Sequence, residues 1–136
     1  MKIINRDTDY VIRALVYMAK RPGTIVCVDE LVEKLKIPKA FLRRLLQTLS
    51  QKKVLNSLKG RGGGFTLNRP ANKIALIELV KIVQGDVATV ECVLKKHICP
   101  DYKRCLLRRE LVRIQYQIVR SLNRITIASL TNEVKG

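Results

Sequence analysis

The chain has 136 residues, 47% of them hydrophobic, with 27 Lys+Arg against 11 Asp+Glu and a formal net charge of +16. That length suits one ordinary domain, or a small domain with a dimerisation segment, and the apolar content excludes wholesale disorder. No uninterrupted apolar stretch nears the ~20 residues of a membrane span, and MKIINRDTDY lacks the apolar region of a signal peptide, so a cytoplasmic protein with no membrane partner is expected.

Residues 8–20, TDYVIRALVYMAK, read as an amphipathic helix with Val11, Leu15 and Met18 at helical spacing and Thr8 or Asp7 as its cap. Arg21-Pro22-Gly23 ends it, because Pro cannot continue the hydrogen-bond ladder. Ile25–Val28 is a short apolar run, read as a small strand or a packed turn, with Cys27 in the core. Asp29 then caps a second helix that faces Leu31, Val32 and Leu35 inward. Ile37-Pro38 breaks that helix and Pro38 opens a third, over 38–51. Its core stripe is Phe41, Leu42, Leu45, Leu46 and Leu49; Lys39, Arg43, Arg44, Gln47 and Lys52 lie mostly on the other side.

Two strands, Val54–Leu58 and Phe65–Leu67, flank the Gly-rich segment 59–64, which supplies the positive φ a hairpin needs. A fourth helix spans about Leu76–Val83. After residues 86–104, which lack periodicity, a long helix spans about Lys103–Arg124. Along it Leu107, Leu111, Ile114, Ile118, Leu122 and Ile125 recur at spacings of 4, 3, 4, 4 and 3, a coiled-coil-like seam. The winged-helix core closes without this helix on this reading, which leaves it for dimerisation. Ile125–Val134 forms a short final helix.

Helix, helix, basic helix and hairpin is the order of a winged helix-turn-helix. The predicted fold class is therefore mainly α with a small β-hairpin, extended by a long dimerisation helix. The expected divisions are a DNA-binding domain over 1–85, a cysteine-rich loop over 86–104 and a dimerisation and C-terminal segment over 103–136. The charge excess favours a polyanionic partner: DNA, RNA or an acidic membrane face. Basic residues spread along the whole chain point to faces of folded elements rather than a disordered arm. Lys39, Arg43 and Arg44 on a groove-entering helix, with Lys59 and Arg61 at a hairpin tip that reaches a minor groove, favour double-stranded DNA. Each basic pair alone would read as a solvated surface. An RNA- or ribosome-binding protein is the alternative from another class. An enzyme is not expected: the chain holds one His, and its Gly-rich segment joins two strands instead of opening a helix as a phosphate loop does.

Cys92, Cys99 and Cys105 are separated by six and five residues. In a cytoplasmic protein three neighbouring thiols indicate metal or redox chemistry more readily than disulfides. Zinc sites favour cysteine pairs two to four residues apart; with no such pair here, iron–sulfur ligation is the better match. The remaining readings are zinc, free thiols, or buried small apolar residues. A fourth ligand position stays open, with His97, Asp101 and Glu91 nearby and Asp9 more distant.

Taken together the pattern resembles the small winged-helix regulators that include IscR, NsrR, CymR and BadM. The resemblance covers nearly the whole chain. It is carried by Thr8-Asp9-Tyr10 with Arg13-Ala14-Leu15, by the wing Gly60-Arg61-Gly62-Gly63-Gly64-Phe65, and by the cysteine trio before a long helix. It implies a homodimeric transcription regulator, acting as a repressor, with a [2Fe–2S] cluster that senses nitric oxide, redox state or cluster supply. IscR-like proteins place a His ligand three residues after the last cysteine; Arg108 stands there in this chain. NsrR-like proteins use an Asp at the start of the first helix, contributed by the partner subunit. The resemblance is closest to that branch and makes Asp9 the fourth ligand with Cys92, Cys99 and Cys105. The first cysteine gap is longer than is usual in the family, which makes His97 the alternative. CymR-like members lack the cluster and bind a partner enzyme, and the intact cysteine trio argues against that branch; a thiol- or zinc-based regulator of the same fold without iron is the other reading.

Overall fold

The computed structural model describes residues 3–85 and 105–131. Its elements are α1 (Arg6–Ala19), α2 (Val28–Leu35), α3 (Lys39–Gln51), β1 (Leu55–Leu58), β2 (Gly64–Leu67), a 3-10 turn (Ala71–Lys73), α4 (Leu76–Gln84), α5 (Leu106–Arg124) and α6 (Ile127–Leu130). The winged-helix order expected from the sequence is the order observed. Cys92 and Cys99, with His97 and the rest of 86–104, lie outside the described residues.

The helix starts differ from expectation. Asn5, not Thr8 or Asp7, caps α1: its Oδ1 accepts from the Thr8 N–H at 2.9 Å. Thr8 is fully buried, and its hydroxyl donates instead to Gln84 Oε1 at 2.6 Å. Cys27, not Asp29, caps α2, its Sγ accepting from the Glu30 N–H at 3.4 Å. Cys27 is therefore exposed and not a core residue. Asp29 sits in the first turn, where a carboxylate complements the helix dipole. The Ile25–Val28 run forms only one bridge, Val26 to Phe65, with Val26 buried and Ile25 exposed.

The core gathers where the apolar stripes meet. Val11, Leu15 and Met18 of α1, Leu31 of α2, and Leu42, Leu46 and Leu49 of α3 join Leu55 and Phe65 of the hairpin and Leu79 of α4. Each such side chain contributes roughly 1.5–3 kcal/mol on burial. β1 and β2 pair antiparallel with Leu55 opposite Leu67 and Ser57 opposite Phe65. Phe65 inserts into the core and its backbone exchanges hydrogen bonds with Val26 at 2.8 and 3.0 Å, so the wing is tied to the start of α2. That crossing requires glycine at 64: a Cβ there would stand 2.4 Å from the Val26 carbonyl oxygen.

The core does not close without the C-terminal segment. The backbone of 125–127 clips to the start of α4, with Leu76 N–H donating to Ile125 O at 2.8 Å and Ile127 N–H to Ile74 O at 3.0 Å. Ile127 is fully buried in the main core. A second cluster forms where Leu122 meets Leu76, Ile77 and Val80, with Ile118 and Ile125 against it. The predicted seam of α5 is thus divided. Ile118, Leu122 and Ile125 pack on their own domain, while Leu107 and Ile114 are 68% and 46% exposed.

Candidate nucleic-acid interface

α3 buries one stripe and presents another. Leu42, Leu45, Leu46 and Leu49 face the core, so the helical period turns Lys39, Arg43, Arg44 and Gln47 to solvent. Phe41, half-buried between the stripes, meets the edge of Tyr10 with ring centroids 6.0 Å apart. The Arg44 guanidinium lies 5.1 Å from the Phe41 ring centroid and that of Arg6 5.9 Å from it. A guanidinium over a ring keeps its charge while losing rotamer freedom, which suits a residue that must meet a phosphate or a base edge.

The wing stands beside this helix. Residues 59–63 turn between the strands, with Gly60 and Gly62 at φ 93° and 72°. Lys59 and Arg61 are exposed at the tip. Between α3 and the wing lies a cleft of about 410 Å³, lined by Asp29, Lys39, Arg43, Gln47 and Lys59 over a floor that includes Phe65. The structure therefore brings Lys39, Arg43 and Lys59 to one cleft and leaves Arg44 and Arg61 exposed nearby in the chain. Arg43, Arg44, Lys59 and Arg61 form no ion pair among the described residues. Lys39 does: its Nζ lies 2.7 Å from Asp29 Oδ1. Sequence reasoning missed this placement of Asp29, because an Asp ahead of an apolar helix reads first as a cap.

Of the expected cluster ligands, Asp9 and Cys105 are described. Asp9 is partly exposed on α1 and its Oδ2 accepts from Arg13 Nε at 2.9 Å. Cys105 is half-buried as the N-cap of α5, its Sγ accepting from the Arg108 N–H at 3.5 Å. Among the described residues no three His, Cys, Asp or Glu side chains gather as a metal site. No helix among them is long and apolar enough to cross a membrane.

Comparison with known proteins adds three findings. The family model Rrf2, described as "Iron-dependent Transcriptional regulator", matches residues 4–133. A protein of Aquifex aeolicus assigned as an HTH-type transcriptional regulator is 31% identical over 133 residues, covering 96% of this chain and 92% of its own. Among solved structures, CymR (YrzC), the global cysteine regulator of B. subtilis, superposes with a TM-score of 0.81 at 20% identity, over 96% of this chain and 97% of that one. T. potens IscR superposes with a TM-score of 0.74 at 17% identity, over 100% and 94%. At these identities the two structures establish the fold and nothing finer.

Proposed function

The chain belongs to the Rrf2 family of transcriptional regulators, and on that premise we propose that it is a homodimeric DNA-binding repressor controlled by a [2Fe–2S] cluster. The observation that carries the DNA reading is the cleft between α3 and the wing, with Arg43 and Lys59 in its walls and unpaired among the described residues. Lys39, Arg43 and Arg44 would meet base edges or phosphates in the major groove, and Lys59 and Arg61 the adjoining minor groove or backbone. Contact between protomers is assigned to the outward part of α5, where Leu106, Leu107, Ile114 and Tyr116 are exposed.

The divisions follow the same reading: residues 1–85 bind DNA, 86–104 carry the cluster loop, and 103–136 contribute dimerisation, with Ile127 returned to the DNA-binding core. Cys92, Cys99 and Cys105 with Asp9 are the proposed ligands, His97 the alternative to Asp9. The donor set fits the group: cysteine sulfurs are the ordinary ligands of iron–sulfur centres, and Cys105 stands half-buried at the start of α5. Bound there, the cluster supplies a centre responsive to nitric oxide, redox state or cluster supply. Asp9 must exchange its Arg13 partner to become a ligand. A thiol-based regulator without iron is the second reading, favoured by the exposure of Cys27 at the start of α2.

The test is anaerobic purification with a visible spectrum and iron and sulfide counts, followed by selection of duplexes from a randomised DNA pool. A brown protein with about two irons and two sulfides per chain supports the cluster; a colourless one leaves the thiol reading. Enrichment of a palindromic duplex supports the dimeric DNA reader. Equal retention of RNA and random duplex overturns it.

A further inference from the structure

A chain of net charge +16 is attracted to any polyanion. Selective binding therefore needs an element that disfavours the wrong duplex, beyond contacts that favour the right one. The cleft between α3 and the wing contains such an element. Asp29 is the one carboxylate among its lining residues, on the wall formed by the start of α2. It lies 2.7 Å from Lys39, with side-chain exposures of 74% for Asp29 and 57% for Lys39, so the pair faces solvent where DNA would enter.

DNA offers a carboxylate few partners. Phosphates repel it, and in the major groove the base donors are the N4 amino group of cytosine and the N6 amino group of adenine. Lys39 paired with Asp29 brings no net charge to the cleft, so the pair displaces fewer counterions from random DNA than a lone lysine would. On a duplex that sets a base amino group against the carboxylate, Asp29 gains a donor and Lys39 is released to a phosphate. Resting on the DNA-binding reading above, we propose that Asp29 is a specificity-determining residue, which withholds Lys39 from random-sequence duplex and releases it where a base amino group takes its place. The ordinary alternative is a carboxylate that only complements the dipole of α2. That role predicts a change in thermal stability and none in DNA discrimination.

The experiment compares wild type, Asp29→Asn, Lys39→Gln and the double variant in the full chain. Two probes are used: a random-sequence duplex, and the duplex that wild type enriches from a randomised pool. Asp29→Asn preserves shape and removes charge. On random duplex it is expected to bind several-fold more tightly, with a log–log salt slope steeper by about one. Its preference for the enriched duplex over the random one should fall. Lys39→Gln alone leaves the Asp29 carboxylate uncompensated against the phosphates and should weaken random-duplex binding, whereas the double variant, neutral like the wild-type pair, should return to the wild-type slope.

Unchanged random-duplex affinity and slope in a folded Asp29→Asn protein would overturn the proposal. So would an equal strengthening on both duplexes. Arg43→Gln separates this from failure of the underlying reading. If Arg43→Gln weakens binding while Asp29→Asn changes nothing, only the specificity role is lost. If neither changes binding, the DNA interface itself is misplaced.

Discussion

The buried hydroxyl of Thr8, on α1, donates to Oε1 of Gln84, the last residue of α4, at 2.6 Å. Gln84 Oε1 also accepts from the Asn5 N–H at 3.0 Å, and its Nε2 donates to Ile3 O at 3.0 Å. One amide thus holds the start of the chain against the end of α4, next in sequence to the segment that carries Cys92. Gln84→Ala leaves the Thr8 hydroxyl and the Asn5 N–H without this partner. The expected loss is about 1–3 kcal/mol in a urea titration. A loss within about 0.5 kcal/mol, the range of ordinary surface changes, would show that the amide is dispensable.

The C-terminal segment is part of the main hydrophobic core. Ile127 is fully buried beside Ile74 and Leu79, and its backbone completes the clip to α4. Ile127→Ala should cost about 2–5 kcal/mol, as large-to-small core changes do. Ser129→Ala, at an exposed capping position, should cost no more than about 1 kcal/mol. Thermal unfolding of the two variants separates a core role from a loose tail.

Gly64 lies where β2 crosses the start of α2. A methyl group there would meet Val26 O at 2.4 Å and Val26 C at 2.8 Å, both backbone atoms. Gly64→Ala should therefore separate the wing from Val26. DNA affinity and stability are expected to fall together, the latter by about 1–3 kcal/mol, the usual range for overpacking. Gly62→Ala meets no atom within 4 Å and bears only its φ of 72°. Its smaller effect on a denaturation curve is the control.

Arg61 is, with Lys59, one of two exposed cations at the wing tip. Arg61→Ala should weaken binding to an enriched duplex and lower the salt slope by about one phosphate contact. The dimer should survive, because Arg61 is remote in sequence from the exposed face of α5; sedimentation checks this. Unchanged DNA affinity would remove the wing from the interface.

Asp9→Ala should alter the visible spectrum of anaerobically purified protein, or lower its iron content. A normal spectrum with normal nitric oxide reactivity would point to His97 or another ligand instead. Because the Arg13–Asp9 pair is exposed, losing it should cost at most about 1 kcal/mol. A changed spectrum in a protein of near-normal stability therefore points to ligation.

The order and kind of the elements were legible in the residues alone. Apolar spacing along α1, α3 and α4, Pro22 and Pro38 at the breaks, and the glycines at 60–64 are local signals, and local signals decide where a helix or a hairpin starts and stops. The same periodicity made the basic face of α3 legible, because burying one stripe turns the other outward. Tertiary structure decided what depends on distant partners. Thr8 cannot cap α1, because Gln84, 76 residues away, takes its hydroxyl, and Asn5 assumes the cap. Half of the α5 seam is taken up by packing against Leu76, Ile77 and Val80 of α4, which no spacing within the helix reveals. Asp29 became part of the cleft between α3 and the wing only when α2, α3 and the wing closed around it, placing a carboxylate 2.7 Å from Lys39. Spacing reports which side of an element is apolar; only packing between elements decides which polar groups meet.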